Sequence, residues 1–449
     1  MAMEVVTPPA PANPRVPVTR RVQGSKVRVI GALVGATVLV VVASQWGEAL
    51  LADGVRMKIH TPPLRGPIDW RPGRTVLPAI GIGVATLGVL PAIAARARWR
   101  VVLAAVGLLA VGWALALALV DGSAAITEPF RHPSQYIATM PRIGDLGEFL
   151  RTFTDRLATY NVHTQGHPPG MVVVLFALDA VGLGGATANA VLAFGGGGVA
   201  AVAALVAFRE VSGEESARRA APFLVLVPAA IWWSSGDAFF AGVAGVAVML
   251  GVLATGSSGR TSDRLAVGCG IAFGFTALLS YGLVLLGTIP LAVAYVRRRP
   301  RPLVVAAAAA GLVLAVVAAV TGFAWWSGLA ATRVRYFAGV GAVRPYGYFL
   351  VADLAAFALM IGPAGVAGLV RRSPTRAGAA LVAGAVGAVL LADVSGMSKA
   401  EVERIWIPFV PWVLVAAANG FHRWSTTRAW LAAQVLVTLL IAVGIRSPW

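Results

Sequence analysis

"YNVHTQGHPPGM", residues Tyr160 to Met171, is the point where a polar segment turns into an apolar one. It holds two of the five histidines in the chain, and two consecutive prolines lead out of it. Proline lacks a backbone donor and has a preset φ. Pro168 and Pro169 therefore suit the first turn of a helix entering a bilayer, where those donors would be unpaired anyway. Whether such a helix follows decides the fold, and composition answers it. Hydrophobic residues make up 58% of the 449, and charged residues 12%. The mean hydropathy is +0.79. No soluble domain of this length hides so much apolar surface, because surface helices must turn one side to water.

Working outward, apolar runs of spanning length recur along the chain. They cover 27–46, 75–95, 101–120, 186–208, 237–256, 303–322, 348–370, 377–393, 405–420 and 428–445. Shorter ones lie at 169–183, 219–235, 264–279 and 281–296. Their Ala/Val/Leu/Gly richness predicts helices rather than barrel strands, so the fold class is all-α, a polytopic integral membrane protein. Residues 1–26 are Pro-rich and basic without apolar periodicity, and read as a disordered cytoplasmic tail before an uncleaved anchor. The rest, 27–449, reads as one membrane domain, with 27–95 a candidate added helical pair.

The net charge of +18 is explained by cytoplasmic loops rather than nucleic acid. Basic clusters occur at Arg96/Arg98/Arg100, Arg297/Arg298/Arg299/Arg301, Arg371/Arg372/Arg376 and Arg423/Arg428. With these and 209–219 inside, the segments 47–74, 121–167, 323–347 and 394–404 fall outside. Two apolar segments then separate 167 from 209, so one must not cross. The short segment 169–183, which carries Asp179 and ends in "GLGG", is that one. About thirteen crossings remain. The single cysteine, Cys269, gives no disulfide and no metal site.

The loop 121–167 is long enough to need a reason. It carries His132, His163 and His167, with Asp121, Glu128, Asp145, Glu148 and Asp155 and four arginines. In "DLGEFLRTFTDRLATY" (145–160), Leu146, Phe149, Leu150, Phe153 and Leu157 share one helical face, which predicts an interfacial helix. Asp145 and Glu148 are placed to cap it. Asp121 and Glu128 follow the span 101–120 without such a role. A carboxylate held near apolar walls suits general-base work on a hydroxyl, and the alternative is a solvated acid. His163, His167 and Gln165 either hydrogen-bond a phosphate or sugar hydroxyl, or anchor the interface. Their spacing matches no standard zinc motif.

An acidic segment after a span, then an interfacial helix, then His167-Pro168-Pro169-Gly170 opening the next helix resembles the GT-C superfamily. These are polytopic glycosyltransferases such as protein O-mannosyltransferases and lipid A aminoarabinose transferases. The resemblance implies a polyprenyl-phosphate sugar donor and an envelope glycan, glycolipid or protein acceptor. It implies chemistry on the extracytoplasmic face of the plasma membrane, with a first-loop acid that Glu128 or Asp121 would supply. The chain departs from the family in having a single acid in "TEPF" where a pair is common. No cofactor is required, and a divalent metal is compatible.

On this reading Tyr136, Gln165, Trp233 and Asp237 are candidate substrate-binding residues. Arg333, Arg335, Lys399 and Arg404, together with His163 and His167, are candidates for the donor phosphate. Arginines outside run against the positive-inside bias, and a phosphate or lipid headgroup would explain them. A transporter or flippase is the competing reading. It would use Asp179, Asp353 and the glycine run "FGGGGVAA" (194–201). A non-catalytic assembly partner is the third.

Overall fold

The computed structural model describes residues 18–419 and 424–448. Residues 1–17 of the expected tail, and Arg423, lie outside them. Regular structure among the described residues is helical, with two isolated bridges, Thr61 to Leu64 and Ile68 to Ile445. The protein is a multi-pass membrane protein.

The helices are α1 (Val18–Ala52), α2 (Leu77–Arg96), α3 (Trp99–Ala118), α4 (Leu146–Thr152), α5 (Gly170–Ala180), α6 (Gly185–Ser212), α7 (Glu214–Val225) and α8 (Gly236–Gly256). They continue as α9 (Gly259–Leu279), α10 (Thr288–Arg297), α11 (Arg301–Thr321), α12 (Trp325–Ala338), α13 (Tyr346–Leu369), α14 (Arg376–Val394) and α15 (Trp424–Gly444). Among the described residues ten are long and apolar enough to cross a membrane: α1, α2, α3, α6, α8, α9, α11, α13, α14 and α15. Three composite segments run between them: α7 continued by Pro228–Trp232, Tyr281–Gly287 continued by α10, and Val402–Ile405 continued by 407–418. Prolines at 222, 228, 290, 408 and 411 keep these from forming single long helices.

Side-chain contacts fix the chain direction. Arg209 at the end of α6 lies over the Trp99 ring at 4.7 Å. Arg218 in α7 donates to Ala94 O at 2.7 Å and Ala97 O at 2.9 Å. The α6–α7 turn therefore shares an end of the bundle with the α2–α3 turn. The segment after α3 leaves from the opposite end, and the chain is still there when α6 begins. So α5 does not cross. Its 11 residues reach about 16 Å, half of a hydrocarbon core. Asp179 near its end is exposed.

The expected helix over 145–160 is shorter than its pattern suggested. Asp145 Oδ1 accepts from Glu148 N at 2.6 Å and starts α4, which stops at Thr152. Phe149, Phe153 and Leu157 are buried within the protein. Phe153 meets Phe323 and stacks on Tyr160, with ring centres 5.5 and 5.6 Å away. The apolar face thus packs on protein at the end of α11, which removes the need for a longer membrane-facing helix.

The glycine run of α6 gives close packing rather than a break. Gly196 lies on the Ala238–Phe239 backbone, and Gly197 lies beneath the Trp233 ring. Small residues of this kind let helix backbones approach in a membrane. A break occurs instead in α13, at Gly362 (φ 66°, ψ −178°) and Pro363. The buried amide of Gln434 from α15 repairs it, accepting from Ala364 N at 3.1 Å and donating to Ile361 O at 3.0 Å.

The N-terminal region is built into the bundle. α1 packs on α13, where Tyr348 Oη donates to Ala43 O at 3.2 Å. The connection to α2 bonds to the end of α15, with Asp69 N donating to Gly444 O at 3.0 Å and Arg71 N to Val443 O at 2.9 Å.

Candidate functional site

The end of the bundle where residues 121–167 lie gathers four stretches distant in sequence: 56–71, 132–167, 323–346 and 395–405. Their meeting point is Glu401. Its carboxylate accepts from Arg65 Nη1 at 2.6 Å, Arg344 Nη2 at 3.1 Å and Arg404 Nη2 at 3.1 Å. Burial would raise the Glu401 carboxyl, but Arg404, Arg65 and Arg344 together hold it down at about 2. Arg404 opens the short turn Val402–Ile405 into the last composite pass. It also donates Nη1 to Asp237 Oδ2 at 2.5 Å, with both side chains buried. Burial lowers the Arg404 guanidinium, and Asp237 with Glu401 more than restores it, so the net shift is upward.

Asp237 sits in the first turn of α8, which projects it toward the loop. Tyr136 packs on this turn, with its ring 6.4 Å from Phe240 and 5.7 Å from both His163 and His167. The motif "YNVHTQGHPP" holds these rings through local bonds. Asn161 Oδ1 accepts from Thr164 N at 3.1 Å, and its Nδ2 donates to Gln135 O at 2.6 Å. Gln165 Nε2 donates to Tyr160 O at 2.5 Å. His167 Nδ1 bonds His163 O at 2.9 Å. A carbonyl only accepts, so Nδ1 carries the proton and a neutral His167 keeps Nε2 as an acceptor. Burial lowers His167, with Asp237 opposing and Arg404 assisting, and lowers His163 well below the usual value. Both are therefore neutral near pH 7. They can meet a hydroxyl, but they bring no charge to a phosphate. Burial, then Asp237, raises the Tyr136 hydroxyl well above its ordinary value.

Several expected residues lie elsewhere or act differently. Asp121 is tied to Arg71, whose Nη2 also donates to Ala442 O at 3.0 Å, so it joins the loop to the end of α15. Glu128 is 61% exposed and, among the described residues, pairs locally with Arg131 at 3.2 Å. Lys399 is no open phosphate ligand. Its buried ammonium donates to Gly341 O and, at 2.8 Å, to Arg344 O, where burial lowers its pKa. Trp233, a candidate substrate-binding residue, has its ring buried over Gly197. Arg335 Nε donates to Gln165 Oε1 at 3.1 Å, and Arg333 lies exposed over Phe337 at 5.9 Å.

The segments 47–74, 323–347 and 394–404 were expected at this end, but nothing in the sequence joined Arg65, Arg344 and Glu401 to one another. Basic residues in three separate segments on one face were the available signal. Glu403 was also missed. It is 1% exposed, Oε1 accepts from Arg65 N at 3.1 Å, and burial raises its carboxyl to about 7. Among the described residues no group of three or more His, Cys, Asp or Glu is placed to hold a metal.

No family model matches the chain, and no curated protein sequence matches it. Among solved structures it is similar to ArnT from Cupriavidus metallidurans in the apo state, at 18% identity and a TM-score of 0.40, covering 62% of this chain and 54% of that one. It is also similar to the oligosaccharyltransferase of Archaeoglobus fulgidus in complex with Zn and sulfate, at 14% identity and a TM-score of 0.46. That match covers 78% of this chain and 54% of the other. The chain thus spans about half the length of each of these two structures.

Proposed function

We propose that this protein is a membrane glycosyltransferase that moves a sugar from a polyprenyl-phosphate donor to an acceptor in the cell envelope, working at the extracytoplasmic face. The observation that carries the reading is the convergence of Arg65, Arg344 and Arg404 on the single carboxylate of Glu401. Set against the carboxylates of Glu401 and Asp237, the three guanidiniums leave an excess of positive charge at one end of the bundle, where a phosphate leaving group would need it.

In the reaction the acceptor oxygen attacks the anomeric carbon and loses its proton to a base. The bond from that carbon to the phosphate oxygen breaks, and the phosphate leaves with the electron pair. Arg404, held in place by Asp237 and Glu401, stabilises the charge that develops there. Glu128 is the base on this reading, because Asp121 is occupied by Arg71 while Glu128 is exposed and, among the described residues, bound within its own turn. His167, neutral and with Nε2 as an acceptor, orients a hydroxyl. A transporter reading is weakened by its own residues. Asp179 lies exposed on a helix that does not cross, and Asp353 is in the first third of α13 near Ala400, whose N–H it accepts at 3.2 Å.

The experiment is transfer of radiolabelled sugar from a panel of polyprenyl-phosphate sugars by protein in nanodiscs. Donor binding is measured in parallel. Loss of transfer with retained binding in Glu128→Gln supports the reading. No donor binding in the unaltered protein overturns it.

A further inference from the structure

Far from Glu401, a cavity of about 800 Å³ opens between α9, α10 and α11. That is the volume of a ligand pocket. Its walls are almost wholly apolar and include Phe273, Leu291, Leu303 and Leu314. α11 packs along α9 and barely touches α10, and within its own length it buries only Pro302 and Ala306. The gap therefore opens sideways, toward lipid. Water does not fill an apolar cavity of this kind, and hydrocarbon does.

One charged side chain lines the cavity, Arg298 in the α10–α11 turn. The other arginines of that turn are engaged by protein. Arg297 binds Glu210 at 3.1 Å, Arg299 donates to Ser257 O at 2.6 Å, and Arg301 pairs with Asp263 at 3.2 Å. Arg298 is exposed, forms no such pair among the described residues, and adopts φ 54°, ψ 41°. A left-handed conformation is uncommon for a residue with a side chain. Here it sets a guanidinium at the mouth of a hydrocarbon-lined slot, at the end of the bundle opposite Asp237 and Arg404.

We infer that this slot binds one anionic glycerophospholipid, with an acyl chain between α10 and α11 and its phosphate headgroup on Arg298. The charge of Arg298 selects the headgroup, and the apolar walls hold the chain without selecting among chains. This site does not depend on the reaction proposed above.

The test is native mass spectrometry of the purified protein titrated with phosphatidylglycerol or phosphatidylcholine of identical chains. One phosphatidylglycerol should be retained about fivefold more tightly than phosphatidylcholine, the size of one headgroup contact with an arginine. Arg298→Gln should erase the preference, lowering phosphatidylglycerol retention more than that of phosphatidylcholine, whose phosphate is offset by its choline charge. Ala310→Phe, which fills the slot from α11, should reduce retention of both lipids. Equal retention of the two lipids by the unaltered protein would overturn the inference. So would a preference that survives Arg298→Gln, or displacement of phosphatidylglycerol by a polyprenyl phosphate at equal concentration.

Discussion

Arg404 and Asp237, 167 positions apart in the chain, meet across 2.5 Å with both side chains buried. The contact joins the first turn of α8 to the approach to the last composite pass. It therefore couples the loop cage of Tyr136 and His167 to the arginine cluster. Removing one partner strands a buried charge. Asp237→Ala and Arg404→Ala should each lower stability by about 3 kcal/mol, and the double variant should lose clearly less than the sum. Thermal unfolding in detergent reads this. Additive losses would mean that the two side chains do not act as a pair.

Glu128 and Asp121 should separate cleanly. Glu128→Gln should cut transfer by about 100-fold or more, with little change in melting temperature, because it removes a proton acceptor from an exposed turn. Asp121→Asn should do the reverse, since it weakens the tie to Arg71 and the end of α15. Transfer assays and melting curves on the same preparations check both halves. A strong loss of transfer in Asp121→Asn at unchanged stability would reassign the base.

Glu403 predicts a pH dependence of stability. Its folded value is about 7, against an ordinary 4.5. Between those values the folded protein binds more protons than the unfolded chain, so stability falls as pH rises through this window. The full effect is on the order of 3 kcal/mol. Glu401, held at about 2, is ionised in the folded protein throughout, and its own opposite slope dies away as the unfolded carboxyl ionises above its ordinary value of 4.5. His163 and His167, whose folded values are depressed, add a rise over the same range, so the Glu403 contribution is read as a difference: from pH 5 to pH 8 the melting temperature of the unaltered protein should fall relative to that of Glu403→Gln. Parallel curves would show that Glu403 does not titrate in the window.

Gln434→Leu should cost about 2 kcal/mol or more, because Ala364 N–H and Ile361 C=O lose their partner in a buried setting. Gln434→Glu tests the geometry. Burial keeps its carboxyl protonated, so it offers an acceptor for Ala364 N–H and an O–H for Ile361 O in altered geometry, and it should fall between the unaltered protein and Gln434→Leu. Melting temperatures rank the three.

Much of the architecture was legible because hydrocarbon imposes a length rule. Nine of the ten runs of spanning length became spanning helices, the shorter run 264–279 became α9, and 405–420, interrupted by Pro408 and Pro411, became a chain of short turns instead; the parity conflict around 169–183 identified α5 as a helix that does not cross. The loop read less well. An apolar stripe over 145–157 has the same pattern whether it faces lipid or Phe323, and tertiary contact decided which. Asp145 as a cap was legible because capping is local. Lys399 and Trp233 were not, because a burial partner such as Gly341 O or Gly197 lies far away in sequence. For the same reason Arg65, Arg344 and Glu401 appeared as scattered surface charges until the fold brought them together.

The mended break in α13 bears on how the chain is made. Gly362 and Pro363 leave the translocation machinery about 70 residues ahead of Gln434. Until α15 is delivered, Ala364 N–H and Ile361 C=O have no Gln434 amide to close the gap, in surroundings where an unmatched backbone group is costly. A nascent chain halted before Gln434 would thus hold an unfinished α13. α15 is then the piece that completes the helix against which α1 is packed, so a later helix secures the seat of an earlier one.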